Sequence, residues 1–193
     1  LVEGNTGGDV GGIYLEYSRH DTLRNVTIAG NSGDVVGGIA LYAIGQLGSQ
    51  AWLINSIVRD NSMPGIGMVQ NLAADSIGNW LEISYSDIEW GRDSVRIDTT
   101  CVLDWSEGNI DQDPLWVDPD EGDYGLQFAS PCIDAGDPDG APDPDSSRAD
   151  MGAYPYLIRG VIEGFVSDIA SGAPLPDARV VSSFGNQAVT DSA

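Results

Sequence analysis

The sequence predicts an all-β chain built mainly as a parallel β-helix, a solenoid of stacked short strands. A repeat predicts it first: "LRNVTIAGNSGDVVGGIALY" (23–42) aligns with "LINSIVRDNSMPGIGMVQ" (53–70) and, more loosely, with "LEISYSDIEWGRDSVRID" (81–98). Alternating apolar residues within each copy predict strands rather than helices. Asparagines recurring at one turn complete the pattern, with Asn25 and Asn55 thirty apart and Asn31 and Asn61 thirty apart.

A partial first copy, "EGNTGGDVGGIYLE" (3–16), sets Asn5 twenty-six residues before Asn31 and Gly12 twenty-six before Gly38. A period of 26 to 30 residues is one rung, too small to bury its own inward side chains and dependent on its neighbours for a core. Val26 and Ile28, Ile39 and Leu41, Ile66 and Met68, and Ile83 and Tyr85 alternate as strand faces should. Stacked amides both donate and accept, so Asn5, Asn31, Asn61, Asn25 and Asn55 are expected to form a structural ladder rather than a ligand set. The glycine pairs Gly11, Gly12 and Gly37, Gly38 lack the lysine-bearing pattern of a phosphate loop and are expected to form tight corners.

Three segments follow from this reading: rungs over 1–100, a last rung and acidic cap over 101–156, and a separate module over 157–193. The chain opens within the pattern, so further rungs are expected before it. In the cap, "SPCIDAGDPDGAPDPDSSRADMGAY" (130–154) carries six aspartates among prolines and glycines. Proline removes ladder donors, so this stretch is expected to end the strand pairing and to shield the open edge.

Eight arginines, no lysine and thirty acids give the 193-residue chain a formal charge of -22. Such a surface repels nucleic acid and anionic membranes and favours cations. No apolar run is long enough to span a bilayer. Asp139, Asp143, Asp145 and Asp150 are the candidate ligands for calcium, whose flexible oxygen shell suits irregular loops, although the EF-hand spacing is absent. Cys101 and Cys132 lack zinc or redox spacing. A disulfide between them is the expectation, with two reduced buried thiols as the alternative.

Trp52, Trp80, Trp90 and Trp105 can either stack on sugar rings or fill and close the core; Trp52 and Trp90, both beside turn residues, are the better candidates for stacking. The Arg19-His20-Asp21 triplet points to alternate sides of an extended chain and is not expected to converge as an acid–base group. Arg59 and Asp60, with Arg92 and Asp93, are expected to form a solvated ion-pair edge.

Residues 108–138 and 145–156 resemble the terminal segments of right-handed parallel β-helix proteins of the pectin-lyase-like superfamily, in particular its large secreted bacterial members. The resemblance implies a right-handed β-helix ending near residue 156 on a secreted or cell-surface protein. The superfamily includes polysaccharide lyases and hydrolases, yet this chain lacks their lysine and their Gly-His-Gly segment. Residues 159–193 resemble the start of a carboxypeptidase-regulatory-like, transthyretin-like β-sandwich, with Gly160, Ile162, Gly164, Val166, Gly172, Pro174, Leu175, Ala178 and Val180 in the matching places. About 35 residues supply too few strands to close two sheets.

Three functions are therefore expected in order: a non-catalytic structural, adhesive or carbohydrate-binding protein, with polysaccharide or surface-protein partners; a polysaccharide lyase or hydrolase whose active face lies in missing rungs; and a self-associating filament subunit.

Overall fold

The computed structural model describes residues 1–44, 47–71, 78–157, 166–175, 179–181 and 187–189. It divides into two units, Leu1–Leu157 and Ile158–Ala193. The described residues form strands, with two 3-10 turns and no α-helix, and among them no helix is long and apolar enough to cross a membrane.

In the first unit twelve strands build three parallel four-stranded sheets. Sheet 1 orders β1 (Val2–Glu3), β4 (Thr27–Ala29), β7 (Ile57–Arg59) and β10 (Asp87–Ile88). Sheet 2 contains β2 (Ile13–Glu16), β5 (Ile39–Ile44), β8 (Ile66–Asn71) and β11 (Arg96–Ile97). Sheet 3 contains β3 (Asp21–Arg24), β6 (Gln50–Ile54), β9 (Trp80–Ser84) and β12 (Val102–Trp105). The chain thus visits the three sheets in the same order four times, and each strand pairs with the strand three places later.

Register places like over like: Ile28 pairs with Val58 and Val58 with Ile88, Leu41 with Met68, and Leu53 with Ile83. These residues from all three sheets form one cluster, fully or almost fully buried. Burying each such Leu or Ile contributes roughly 1.5–3 kcal/mol. No rung encloses this core by itself, which is why the repeat is needed.

Polar columns hold the three corners. Asn5 Nδ2 donates to Asn31 Oδ1, and Asn31 Nδ2 to Asn61 Oδ1, each at 2.9 Å. The same oxygens accept the backbone N–H groups of Asn5 and Asn31 at 3.0 Å. At the corner before sheet 3, Ser18 N donates to Ser49 Oγ and Ser49 N to Asn79 Oδ1. At the corner before sheet 1, Val26 N donates to Ser56 Oγ, Ser56 N to Ser86 Oγ, and Ser86 N to Asn109 Oδ1. Each side chain satisfies backbone groups that the bends remove from the ladders.

The paired glycines stand in the bends just before β2 and β5, where tight corners are expected. None of the four has a positive φ, but a Cβ on Gly12 would lie 2.3 Å from Gly38 O and one on Gly38 2.5 Å from Gly65 O. At these corners they let successive rungs approach closely.

The acidic segment follows a last rung, as expected, but takes a different position from an end cap. After β12 Ile110 bridges Asp87 in parallel, which lengthens sheet 1 at the end of the stack, and the chain then folds back along the outer face of sheet 1. Its β13 (Trp116–Asp118) and β14 (Asp123–Leu126) form an antiparallel pair. Trp116, Tyr124, Leu126, Cys132 and Met151 bury Ala29 and Ile57, which face away from the inner core. Asn25 and Asn55 belong to this arrangement and not to an amide ladder. Both adopt left-handed backbone, φ 51° and 50°; Asn25 Nδ2 donates to Asp150 O and Asn55 Oδ1 accepts from Asp137 N. Gly152 N donates to Asn55 O and Ala153 N to Thr27 Oγ1. The segment is a lateral cover tied along sheet 1.

In the second unit β15 (Arg179–Val181) pairs antiparallel with β16 (Gln187–Val189), and Ser167 bridges Pro174. Gly160, Ile162, Gly164 and Ala178 lie outside the described residues.

Candidate functional site

The outer face of sheet 3 gathers aromatic rings. Strand alternation turns Ala51, Leu53, Leu81 and Ile83 into the core and leaves Trp52 and Trp80 half-buried on the outside. Trp80 stands opposite Gln50 and Trp52 opposite Glu82, so the two indoles meet diagonally, with centroids 5.0 Å apart and planes at 64°. His20, exposed and held at φ 67° just before β3, stacks on Trp52 at 5.8 Å and 15°. The rings run across three successive rungs. In register beside them stand Thr22, Glu82 and Asp104, and the Ser106 hydroxyl has Glu82 Oε1 and Asp104 Oδ1 as alternative acceptors at 3.4 and 3.3 Å.

This surface can offer ring faces for the apolar C–H side of a pyranose and carboxylates for its hydroxyls. Sequence reasoning ranked Trp52 above Trp80 and gave His20 no stacking role. The signal was present: Trp80 follows Trp52 by 28 residues, within the rung period. Trp90 is 66 % exposed in the turn after β10, on sheet 1's side of the rung, and the structure does not bring it to Trp52. Trp105 packs against the inner core and Trp116 lies in the outer cluster.

His20 contributes through its ring; its neighbour Asp21 accepts a hydrogen bond from Ser18 Oγ. The expected Arg-Asp edge is a different cluster. Arg59 Nη1 contacts Asp87 Oδ1 at 3.0 Å and Asp111 Oδ1 at 2.9 Å. Asp87 is fully buried and also accepts Gln112 N. Burial outweighs the arginine and pushes its carboxyl up to about 6. Asp60 N donates to Glu89 Oε2, and Arg92 and Asp93 are exposed in the 3-10 turn Arg92–Ser94.

The expected disulfide is absent. Cys101 packs against the inner core and its Sγ accepts from Asn79 Nδ2, whereas Cys132 belongs to the outer cluster with its thiol 3.8 Å from Asp87 Oδ2. Both thiols are free, on different sides of the sheets, and burial pushes both upward.

The four aspartates named for calcium support turns. Asp143 Oδ2 accepts Asp150 N; Asp150 accepts Asp134 N and Tyr156 N; Asp145 Oδ1 accepts Ser147 N and Oγ; Asp139 N donates to Asp137 Oδ1. Burial pushes Asp150 up to about 6 and raises Asp143. Among the described residues no three His, Cys, Asp or Glu side chains are grouped to hold a metal ion. Arg148 donates to Gly136 O and Ala135 O and lies 5.8 Å from the Tyr85 ring centroid.

Comparisons with family models, with curated proteins and with solved structures each return no match.

Proposed function

We propose that the first unit is part of a right-handed parallel β-helix of a secreted or cell-surface protein, and that it binds polysaccharide without cleaving it. Three sheets visited in turn by strands in parallel register support the β-helix. The observation that carries the binding role is the run His20, Trp52, Trp80 on the outer face of sheet 3. Stacking on the half-buried rings of Trp52 and Trp80 requires little ordering on binding, and rings on three successive rungs spread contacts along a chain rather than enclosing one bond.

The most perturbed carboxyls support the non-catalytic reading, since Asp87 is engaged by Arg59 and Gln112 and Asp150 by two turn N–H groups. A lyase or hydrolase is the second reading, favoured by Asp87 with its carboxyl near 6 beside an arginine. Incubation with neutral and acidic polysaccharides separates the two. Retention on a polysaccharide without new reducing or unsaturated ends supports binding; steady release of such ends, abolished by Asp87→Asn, supports the enzyme. Calcium held by the acidic loops is a further element of the proposal, removed by a calcium titration that leaves the melting temperature unchanged.

A further inference from the structure

A concavity of about 450 Å³ opens where the lateral cover meets the C-terminal end of β7, lined by Arg59, Asp60, Asp113, Leu115, Trp116 and Gln127 with two prolines. Its volume falls in the range of small-ligand sites, roughly 300–1,000 Å³. It is on a different sheet from the aromatic run and rests on no part of that reading.

The walls divide by chemistry. Trp116, Leu115, Pro114 and Pro119 give an apolar side. Gln127 anchors its Nε2 on Trp116 O, which leaves its amide oxygen as an acceptor. Arg59, a lining residue, spends Nη1 on Asp87 and Asp111, which leaves Nε and Nη2 as donors. Asp60 and Asp113 supply carboxylates, the latter holding Leu115 N through Oδ1. The indole N–H of Trp116 is buried and, among the described residues, has no partner; it does not reach the open space itself, but it can report on changes at the wall that its ring helps to form.

Charge selects the ligand. Arg59 is already matched by Asp87 and Asp111, so Asp60 and Asp113 leave the concavity net negative and hostile to uronates and phosphates. A bare cation would make no use of the indole and proline wall. We infer that the concavity binds an uncharged saccharide unit, with hydroxyls donating to Asp60, Asp113 and Gln127, a ring oxygen or hydroxyl accepting from Arg59, and the C–H face on the apolar wall.

The test is a titration of the full chain with methyl glycosides of glucose, galactose and mannose, and with galacturonate for comparison, followed through the indole N–H resonances assigned by Trp116→Phe. At least one neutral glycoside should shift the Trp116 resonance saturably. Asp60→Asn, which keeps a residue tolerant of the left-handed φ of 57°, should weaken binding by roughly tenfold at an unchanged melting temperature, and Trp52→Ala should leave it intact. The inference is overturned if no neutral glycoside shifts the resonance up to roughly 100 mM, if galacturonate binds as well, or if Asp60→Asn and Asp113→Asn both bind like the parent.

Discussion

Asn55 Oδ1 accepts the backbone N–H of Asp137 at 2.7 Å, joining positions 82 residues apart. The left-handed bend that ends β6 therefore also fastens the lateral cover. Asn55→Gly keeps the bend and removes the acceptor, leaving the Asp137 N–H unpaired, and should cost about 1–3 kcal/mol. Asn55→Ala adds the strain of a left-handed alanine, about 1–2 kcal/mol more. Urea unfolding of both variants checks the order; equal destabilisation would remove the bend from the account.

The middle of the amide ladder should matter more than its end. Asn31 is buried and accepts from Asn5 while donating to Asn61 Oδ1 and Val2 O, whereas Asn5 is exposed. Asn31→Ala strands several buried partners and should cost about 2–4 kcal/mol, against under about 1 for Asn5→Ala. The same unfolding measurement compares them.

Acid should stabilise the first unit. Asp87 and Asp150 have carboxyls raised to about 6 from an ordinary 3.8, both chiefly by burial. The folded chain thus holds protons that the unfolded chain releases between those values, so their contribution is full below about 4 and is lost as pH rises through about 6. The melting temperature should climb from pH 7.5 to pH 5. Asp150→Asn and Asp87→Asn should each flatten the climb, and a parent profile that falls over this range contradicts the burial argument.

Both cysteines should count as thiols. In denaturant two equivalents of a thiol reagent should react without prior reduction; in the folded chain buried Cys132 should react far more slowly than Cys101, which is partly exposed. Absence of reaction in denaturant would restore the disulfide.

The rungs were legible because stacking imposes a period: Asn5, Asn31 and Asn61 must recur where amides sit over amides, and Ile28, Val58 and Ile88 where strands share a core. The lateral cover was not, because its contacts obey no period. A trace of it existed in "VTIA" and "SIVR", where Ala29 and Ile57 put apolar side chains on the face that alternation assigns to solvent. A strand apolar on both faces needs covering on both. The prolines and aspartates of 130–154 read equally well as an end or as a strap, and only the partners of Asn25 and Asn55 distinguish the two. On sheet 3, Trp52 and Trp80 meet across a diagonal, so column alignment alone did not pair them, and His20 reaches Trp52 from a left-handed turn that no local pattern announces.

The most direct measurement is the affinity of the parent, Trp52→Ala and Trp80→Ala for a panel of soluble polysaccharides, by affinity electrophoresis with melting temperatures recorded alongside. The expected result is retardation by at least one polysaccharide, reduced roughly tenfold in affinity by either substitution at about 1–3 kcal/mol per lost stacking contact, with the fold retained. Retardation unchanged in both folded variants, or no retardation of the parent by any polysaccharide, would contradict a binding role for the aromatic face of sheet 3.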